Sequence, residues 1–275
     1  MHTAAACYPH ADKMEAGQKS RVGSRFGHGG DDAYFVVSDQ QTGLHVVGVA
    51  DGVARWHEHG IDAGEWSRGL MRAAGAHVQE GQSREPVAIL KAAFAQTVAQ
   101  HEGSSTACIL SLDCAMGVLS TANLGDSGYL IERQGRVVAR TSPQEHNFGN
   151  PYQLGHHEAS VAPCDADSAT TRVQAGDVVV LGSDGLWDNL FDDEVAAITQ
   201  GALRAARTPR EMPAAAARAV AHAALEASTD RHKVTPISVR FTEEFERVYS
   251  GGKKDDITVL VSLVVPSSCE HHVCE

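Results

Sequence analysis

Apolar positions in this chain recur with two periods, and the switch between them marks its elements. Two β-branched runs, residues 33–38 and 44–50, are split by the turn-like stretch Asp39-Gln40-Gln41-Thr42-Gly43, which predicts a β-hairpin. Trp66, Leu70, Met71, Ala74 and Val78 then repeat at helical spacing over 64–79. Ser83, Glu85 and Pro86 announce a second helix through Val98: an N-cap, an early acid and a first-turn proline. Four short β-like runs follow, 106–112, 117–123, 128–132 and 136–141, with turn signals at Gly125-Asp126-Ser127 and Gln134-Gly135. They predict an antiparallel meander. Residues 142–170 hold Pro143, Pro151 and Pro163 and read as irregular. A strand at 177–182, alanine-rich helices at 188–207 and 212–227, and a strand at 257–265 complete the pattern. Segregated runs of strands and helices predict an α+β fold with antiparallel sheets, not alternating βαβ units. One domain over 21–266 is expected, between a flexible N-terminal tail (1–20), polar and aperiodic, and a C-terminal tail (267–275).

Composition narrows the function. Of 275 residues, 43% are hydrophobic and 21% charged, an ordinary globular balance. The 35 acidic side chains outnumber the 23 basic ones, giving a formal net charge of -12. Such a surface repels polyphosphate backbones, so nucleic acid is not an expected partner. Some of those carboxylates have a second possible task, holding cations. The six cysteines form no CxxC pair and are scattered, which points to a reducing intracellular compartment. No run approaches 18 apolar residues, so neither a transmembrane helix nor a membrane partner is expected. The first twenty residues lack the apolar core of a secretory signal, and Asp12 and Glu15 make a poor transit peptide.

The chemistry is suggested by a repeated feature: an aspartate at the end of an apolar strand, usually beside glycine. Asp51-Gly52, Asp184-Gly185, Gly125-Asp126, Asp255-Asp256 and Asp31-Asp32 all fit it. One such corner is most often a plain hairpin turn. Several in one chain change the picture, because antiparallel strands can bring their ends to one rim of a sheet. Two carboxylates 4 Å apart repel by roughly 4 kcal/mol at an effective dielectric of about 20. Either they protonate or a divalent cation sits between them. An all-oxygen donor set favours Mg²⁺ or Mn²⁺ over Zn²⁺. Two such ions acidify a water and neutralise a phosphoryl group during in-line attack. No G-x-S-x-G, Cys-x₅-Arg or Walker loop competes with that chemistry, and Gly27-His28-Gly29-Gly30 is too weak to mark a nucleotide site. Trp187 reads as a core anchor, and Cys269-Glu-His-His-Val-Cys274 lacks the spacing of a zinc module.

These motifs, in this order, resemble the signature of the type-2C metal-dependent protein phosphatases. The matching segments are Asp31-Asp32-Ala-Tyr-Phe, Val49-Ala-Asp51-Gly52-Val53, Ser104-Ser-Thr106-Ala, Asn123-Leu-Gly-Asp126-Ser127-Gly, Gly182-Ser-Asp184-Gly185-Leu-Trp187-Asp188 and Gly252-Lys-Lys-Asp255-Asp256-Ile-Thr-Val, spread over residues 25–265. Gly60-Ile-Asp-Ala-Gly-Glu-Trp-Ser-Arg68 and Phe148-Gly-Asn-Pro-Tyr-Gln-Leu154 resemble a branch frequent in mitochondria and plastids, which leaves the compartment open between cytoplasm and organelle.

The resemblance implies a four-layer α-β-β-α sandwich and hydrolysis of phosphoserine and phosphothreonine in protein substrates. It implies two Mg²⁺ or Mn²⁺ ions, with a third held more weakly. Asp51 would bridge the two ions, Gly52 would give its carbonyl to one of them, and Asp184 and Asp255 would bind the other. Asp31 stands where the family usually has glutamate, a ligand of the second ion. Asp32 would orient the attacking water, so Asp32 and Asp51 carry the catalysis. Asp126 matches the third-ion ligand, and Asp256 stands where many members have asparagine and would support the turn.

Three positions depart from the pattern. Val53 replaces a histidine suggested as general acid, leaving that task to a water, His57 or His59. Gly27 replaces a phosphate-gripping arginine, and Arg25 is the substitute. Arg55 stands where the branch often has glycine, either at the rim of the site or as a solvated side chain. The alternative reading is a catalytically weak type-2C-like scaffold; a two-metal nuclease is disfavoured by the acidic surface and by the 5% aromatic content. A monomer is expected.

Overall fold

The hairpin expected at 33–50 lies inside the larger of the two main sheets. Asp32–Asp39 and Leu44–Asp51 pair antiparallel, with Val36 opposite Val47 and Asp32 opposite Asp51. In this computed structural model, which describes residues 1–15, 20–39 and 42–265, that sheet has six strands. Their order is Asp167–Arg172, Val118–Leu124, Ala107–Asp113, Leu44–Asp51, Asp32–Asp39 and Phe26–Gly29. A second sheet has five: His2–Tyr8, Ile257–Leu263, Val178–Gly182, Gly128–Arg133 and Arg136–Arg140. The 267–275 tail, with its cysteines and histidines, lies outside the described residues.

Three apolar layers hold four structural layers together. Phe35, Val46 and Ile109 pack against Leu70, Met71, Ile89 and Leu90 from the helices Ala63–Gln79 and Pro86–Val98. Tyr34, Val47 and Leu110 point the other way, onto Tyr129, Leu181 and Leu260 of the second sheet. Beyond it, Val180 and Val259 meet Val195, Leu203 and Val220 from the helices Asp192–Ala205 and Met212–Thr229. The result is the α-β-β-α sandwich. Central strands bury both faces, which is why their sequences read as continuous apolar runs rather than alternating ones.

Local chemistry sets several boundaries. The Asp62 carboxylate accepts from Gly64 N at 2.9 Å and caps the first long helix. Glu85, not Ser83, caps the second, accepting from Val87 N at 3.0 Å and Ala88 N at 2.6 Å with Pro86 at the first position. The helix expected from 188 instead begins at Asp192, after a separate turn at Asp184–Trp187.

The flexible tail expected over residues 1–20 is corrected by the structure. His2–Tyr8 pairs along its full length with Ile257–Leu263 as an edge strand. Its Ala4-Ala5-Ala6 run carries no β-branched signal, but ladder hydrogen bonds come from the backbone and accept any side chain. Asp167–Arg172, expected to be irregular, is the polar, mostly exposed edge of the six-stranded sheet. Pro236–Phe245 is a helix the apolar pattern does not reveal. Its start is set by Thr235 and Ser238: Thr235 N donates to Ser238 Oγ at 2.9 Å, and Ser238 N to Thr235 Oγ1 at 3.4 Å.

Candidate metal centre

Two sheets stacked face to face bring their strand ends to one rim. Asp32 and Asp51 sit opposite each other at the end of the six-stranded sheet, and Gly52 N donates to the Asp31 carbonyl at 3.2 Å. A Cβ on Gly52 would lie 2.7 Å from the Ala63 carbonyl oxygen and 2.9 Å from that of Asp31, so only glycine permits this approach. From the other sheet, Ser183 Oγ donates to Asp32 Oδ2 at 2.6 Å and accepts from Thr258 N at 3.1 Å. Asp255 and Asp256 immediately precede the strand that carries Thr258. Gly185 packs on the same turn, where a Cβ would lie 2.0 Å from the Asp256 carbonyl oxygen. Gly185→Ala is therefore expected to cost about 1–3 kcal/mol of stability. An unchanged midpoint in denaturant would show that this turn yields without strain.

The electrostatics of the corner are unfavourable as they stand. Burial, then the charges of Asp32, Asp184 and Asp255, push the Asp51 carboxyl well above the usual range. Burial and Asp256 do the same to Asp32. Burial, with Asp184 and Asp188, raises Asp126, and burial with Asp184 raises Asp255. Asp188 is pushed up to about 6, again chiefly by burial. Asp184 goes the other way: burial opposes its ionisation, but the Lys253 ammonium and hydrogen bonds from Asp51 and Lys253 outweigh it. Among the described residues, the buried atoms Asp31 Oδ1, Asp32 Oδ1 and Asp184 Oδ1 have no hydrogen-bond partner. An unpartnered buried carboxylate oxygen is costly unless a cation meets it.

Two ammonium groups answer part of this charge. Lys253 Nζ pairs with Asp184, with Asp188 at 3.0 Å and with Asp255 at 3.1 Å. Lys13 Nζ pairs with Asp256 and lies 2.6 Å from Asp31 Oδ2. Asp51 and Asp126 form no ion pair among the described residues, so the corner keeps an excess of negative charge. Its donors are oxygens, which suits hard divalent ions. Asp31, His57 and Asp62 also bring one donor atom each within 4.8 Å of one another. Asp62, however, caps a helix and pairs with Arg68 Nη2 at 2.7 Å, so the carboxylate rim is the better cage.

Comparison with known proteins fits this arrangement. The family model described as "Stage II sporulation protein E (SpoIIE)" matches residues 46–264. "Protein phosphatase PTC7 homolog" of Homo sapiens is 38% identical over 247 residues, covering 86% of this chain and 79% of that protein. The chain belongs to the type-2C protein phosphatase family. "Probable protein phosphatase 2C 80" of Arabidopsis thaliana is 36% identical over 266 residues, or 95% of this chain. The chain spans only 58% of that relative's length. The solved photosystem II phosphatase PBCP superposes with a TM-score of 0.80 at 32% identity, over 95% of this chain and 97% of that one.

In this type-2C chain, the expected site residues do not all converge. Asp31, Asp32, Asp51, Gly52, Asp184 and Asp255 share the rim, and Asp126 neighbours it through Asp184 and Asp188. The Asp256 carboxylate accepts from Asp31 N at 2.8 Å and His10 N at 2.7 Å, the supporting role expected of it. Arg25 is not brought to the rim. Its carbonyl accepts from Val36 N at 2.8 Å, four residues along the strand from Asp32, or roughly 13 Å away at strand rise. Arg25 lines a groove with His2 and Arg84 instead. His57 Nε2 reaches Asp31 Oδ2 at 2.8 Å. Arg55 and His59 instead line a cleft of about 720 Å³ that opens past Val53, with Trp56, Phe148 and His157.

Four contributors had no role assigned from sequence: Lys13, Asp188, Lys253 and Arg240. Asp188 and Lys253 stand inside matched motifs, so their position was visible though their function was not. Arg240 comes from the unexpected helix and approaches Asp188 to 3.7 Å. Beneath the rim, Trp187 Nε1 donates to the Gly182 and Gly128 carbonyls at 2.9 and 3.1 Å, as a core anchor should.

Proposed function

We propose that this chain hydrolyses phosphoserine and phosphothreonine in protein substrates with two bound Mg²⁺ or Mn²⁺ ions. The observation that carries this reading is the meeting of strand ends from both sheets in one buried cluster of carboxylates with unbonded oxygens. Asp51, Asp184 and Asp255 would hold one ion, Asp51, the Gly52 carbonyl and Asp31 the other, and Asp126 a third, weaker one. The chemistry such ions supply is Lewis acidity, which acidifies water and neutralises phosphoryl charge. Asp32, fixed through Oδ2 by Ser183, keeps Oδ1 available to accept a proton from the attacking water. His57, whose Nε2 touches Asp31, is the candidate to protonate the departing alkoxide. The cleft beside Val53 would receive the peptide around the phosphorylated residue, with Arg55 rather than Arg25 near the phosphate. The chain would act as a monomer on phosphoproteins, inside the cell.

A weakly active scaffold is the second reading, favoured by Lys13 and Lys253, which already answer part of the acidic charge. Hydrolysis of a small phosphomonoester and of a phosphothreonine peptide, measured with Mn²⁺, Mg²⁺ or EDTA, separates the two. The phosphatase reading expects turnover with either ion and none in EDTA. No turnover with any metal in a folded sample selects the scaffold.

A further inference from the structure

The N-terminal segment delivers a charge to the acidic rim. The strand His2–Tyr8 ends with Tyr8 opposite Ile257, so the chain leaves the sheet beside Asp255 and Asp256. His10 N then donates to Asp256 Oδ1 at 2.7 Å, and Lys13 N and Met14 N return to the His10 carbonyl at 3.0 and 3.1 Å. This single turn of helix, Ala11–Glu15, aims Lys13 inward. Its side chain is 17% exposed, and its Nζ contacts Asp256 and lies 2.6 Å from the fully buried Asp31 Oδ2. His57 Nε2 meets that same oxygen at 2.8 Å. One oxygen of Asp31 is thus doubly engaged, while Oδ1 is buried and unpartnered.

We infer that Lys13 is a positioning residue that sets the strength of the second cation site. It holds Asp31 by Oδ2, so the buried, unpartnered Oδ1 is the oxygen that would meet the ion. Its fixed positive charge opposes an incoming cation at Asp31 and leaves the Asp51–Asp184–Asp255 side, which Lys253 faces, largely unaffected. The second ion would therefore bind weakly and exchange readily because of a residue outside the matched motifs. The inference rests on the two-ion reading above.

Calorimetric titration of Mn²⁺ into the full chain tests it, with no dependence on turnover. Wild type is expected to show one tighter and one weaker site, with the Asp126 site weaker than both. Lys13→Met is expected to tighten the weaker site about tenfold, equivalent to about 1.4 kcal/mol, and leave the tighter site within about twofold. Lys13→Arg, which keeps the charge, should match wild type. Damage to the site would lower affinity, so a gain cannot come from mere disruption. Should Lys13→Met fail to fold, Lys13→Gln, neutral but still able to hydrogen-bond Asp31, carries the same expectation. Two sites unchanged or weakened in a folded neutral variant would overturn the role of Lys13. No Mn²⁺ binding by wild type would overturn the two-ion reading itself, and this inference with it.

Discussion

Asp51→Asn is expected to lose at least about 10³-fold in kcat with a phosphothreonine peptide, roughly 4 kcal/mol of barrier, while remaining folded. Asp51 meets charges from both sheets at once: Asp32 beside it, and Asp184 and Asp255 across the gap. An amide keeps the shape but removes the negative charge that would be shared between two ions. The same change should leave the metal-free chain at least as stable as wild type, because it takes one charge out of a repulsive cluster. Paired measurements of turnover and of melting in EDTA distinguish the two effects. Near-wild-type turnover by the folded variant would remove Asp51 from the catalytic centre, and a large loss of stability would assign it a packing role instead.

Mn²⁺ at 100 times its dissociation constant should stabilise the metal-free chain by about 2.7 kcal/mol. For a domain of this size that corresponds to about 5–10 °C in melting temperature. The lift should depend on pH. Asp51, Asp32, Asp126 and Asp255 have folded-state pKa values above the ordinary carboxylate value, so the folded apo chain binds more protons than the unfolded one. Apo stability from these groups is thus greatest at low pH and is lost as pH rises through their folded values. Asp184, shifted down, opposes this trend. His45, pulled to about 3 by burial, also opposes the trend, but only below its unfolded value near 6.5. As pH rises above the ordinary carboxylate range, and past the His45 transition, the apo melting temperature should therefore fall, and the lift from Mn²⁺ should grow. A lift that shrinks over that rise would mean that the rim carboxylates are not where the ion binds.

Much of this was legible in the sequence, and the reason is local. Continuous apolar runs, helical spacing and Asp-Gly turns depend on a few adjacent residues, so the hairpin at 33–50, the first two long helices and the four strands between 106 and 141 could be read directly. The single meander expected of those four strands is corrected: Ala107–Asp113 pairs with Val118–Leu124 in the six-stranded sheet and Gly128–Arg133 with Arg136–Arg140 in the five-stranded one, because the turn at Gly125-Asp126-Ser127 crosses between the sheets. What failed had no local signature. The strand His2–Tyr8 is alanine-rich, Asp167–Arg172 is polar, and both take their strand conformation from a neighbour's open backbone edge. Arg25 looked like a substitute for Gly27 because the two are close in sequence. On a strand, two residues of separation are about 7 Å of travel, and the pairing with Asp32–Asp39 carries Arg25 away from the rim.

By itself, the sequence determined the aspartates, their glycine neighbours and the strand ends they occupy, because turn geometry and side-chain period are properties of short segments. Only the tertiary structure decided that corners from two different sheets face each other and that Lys13 reaches Asp31. It alone set Lys253 among Asp184, Asp188 and Asp255. Those contacts join residues far apart in the chain through sheet stacking and strand register, and no local pattern of side chains specifies them.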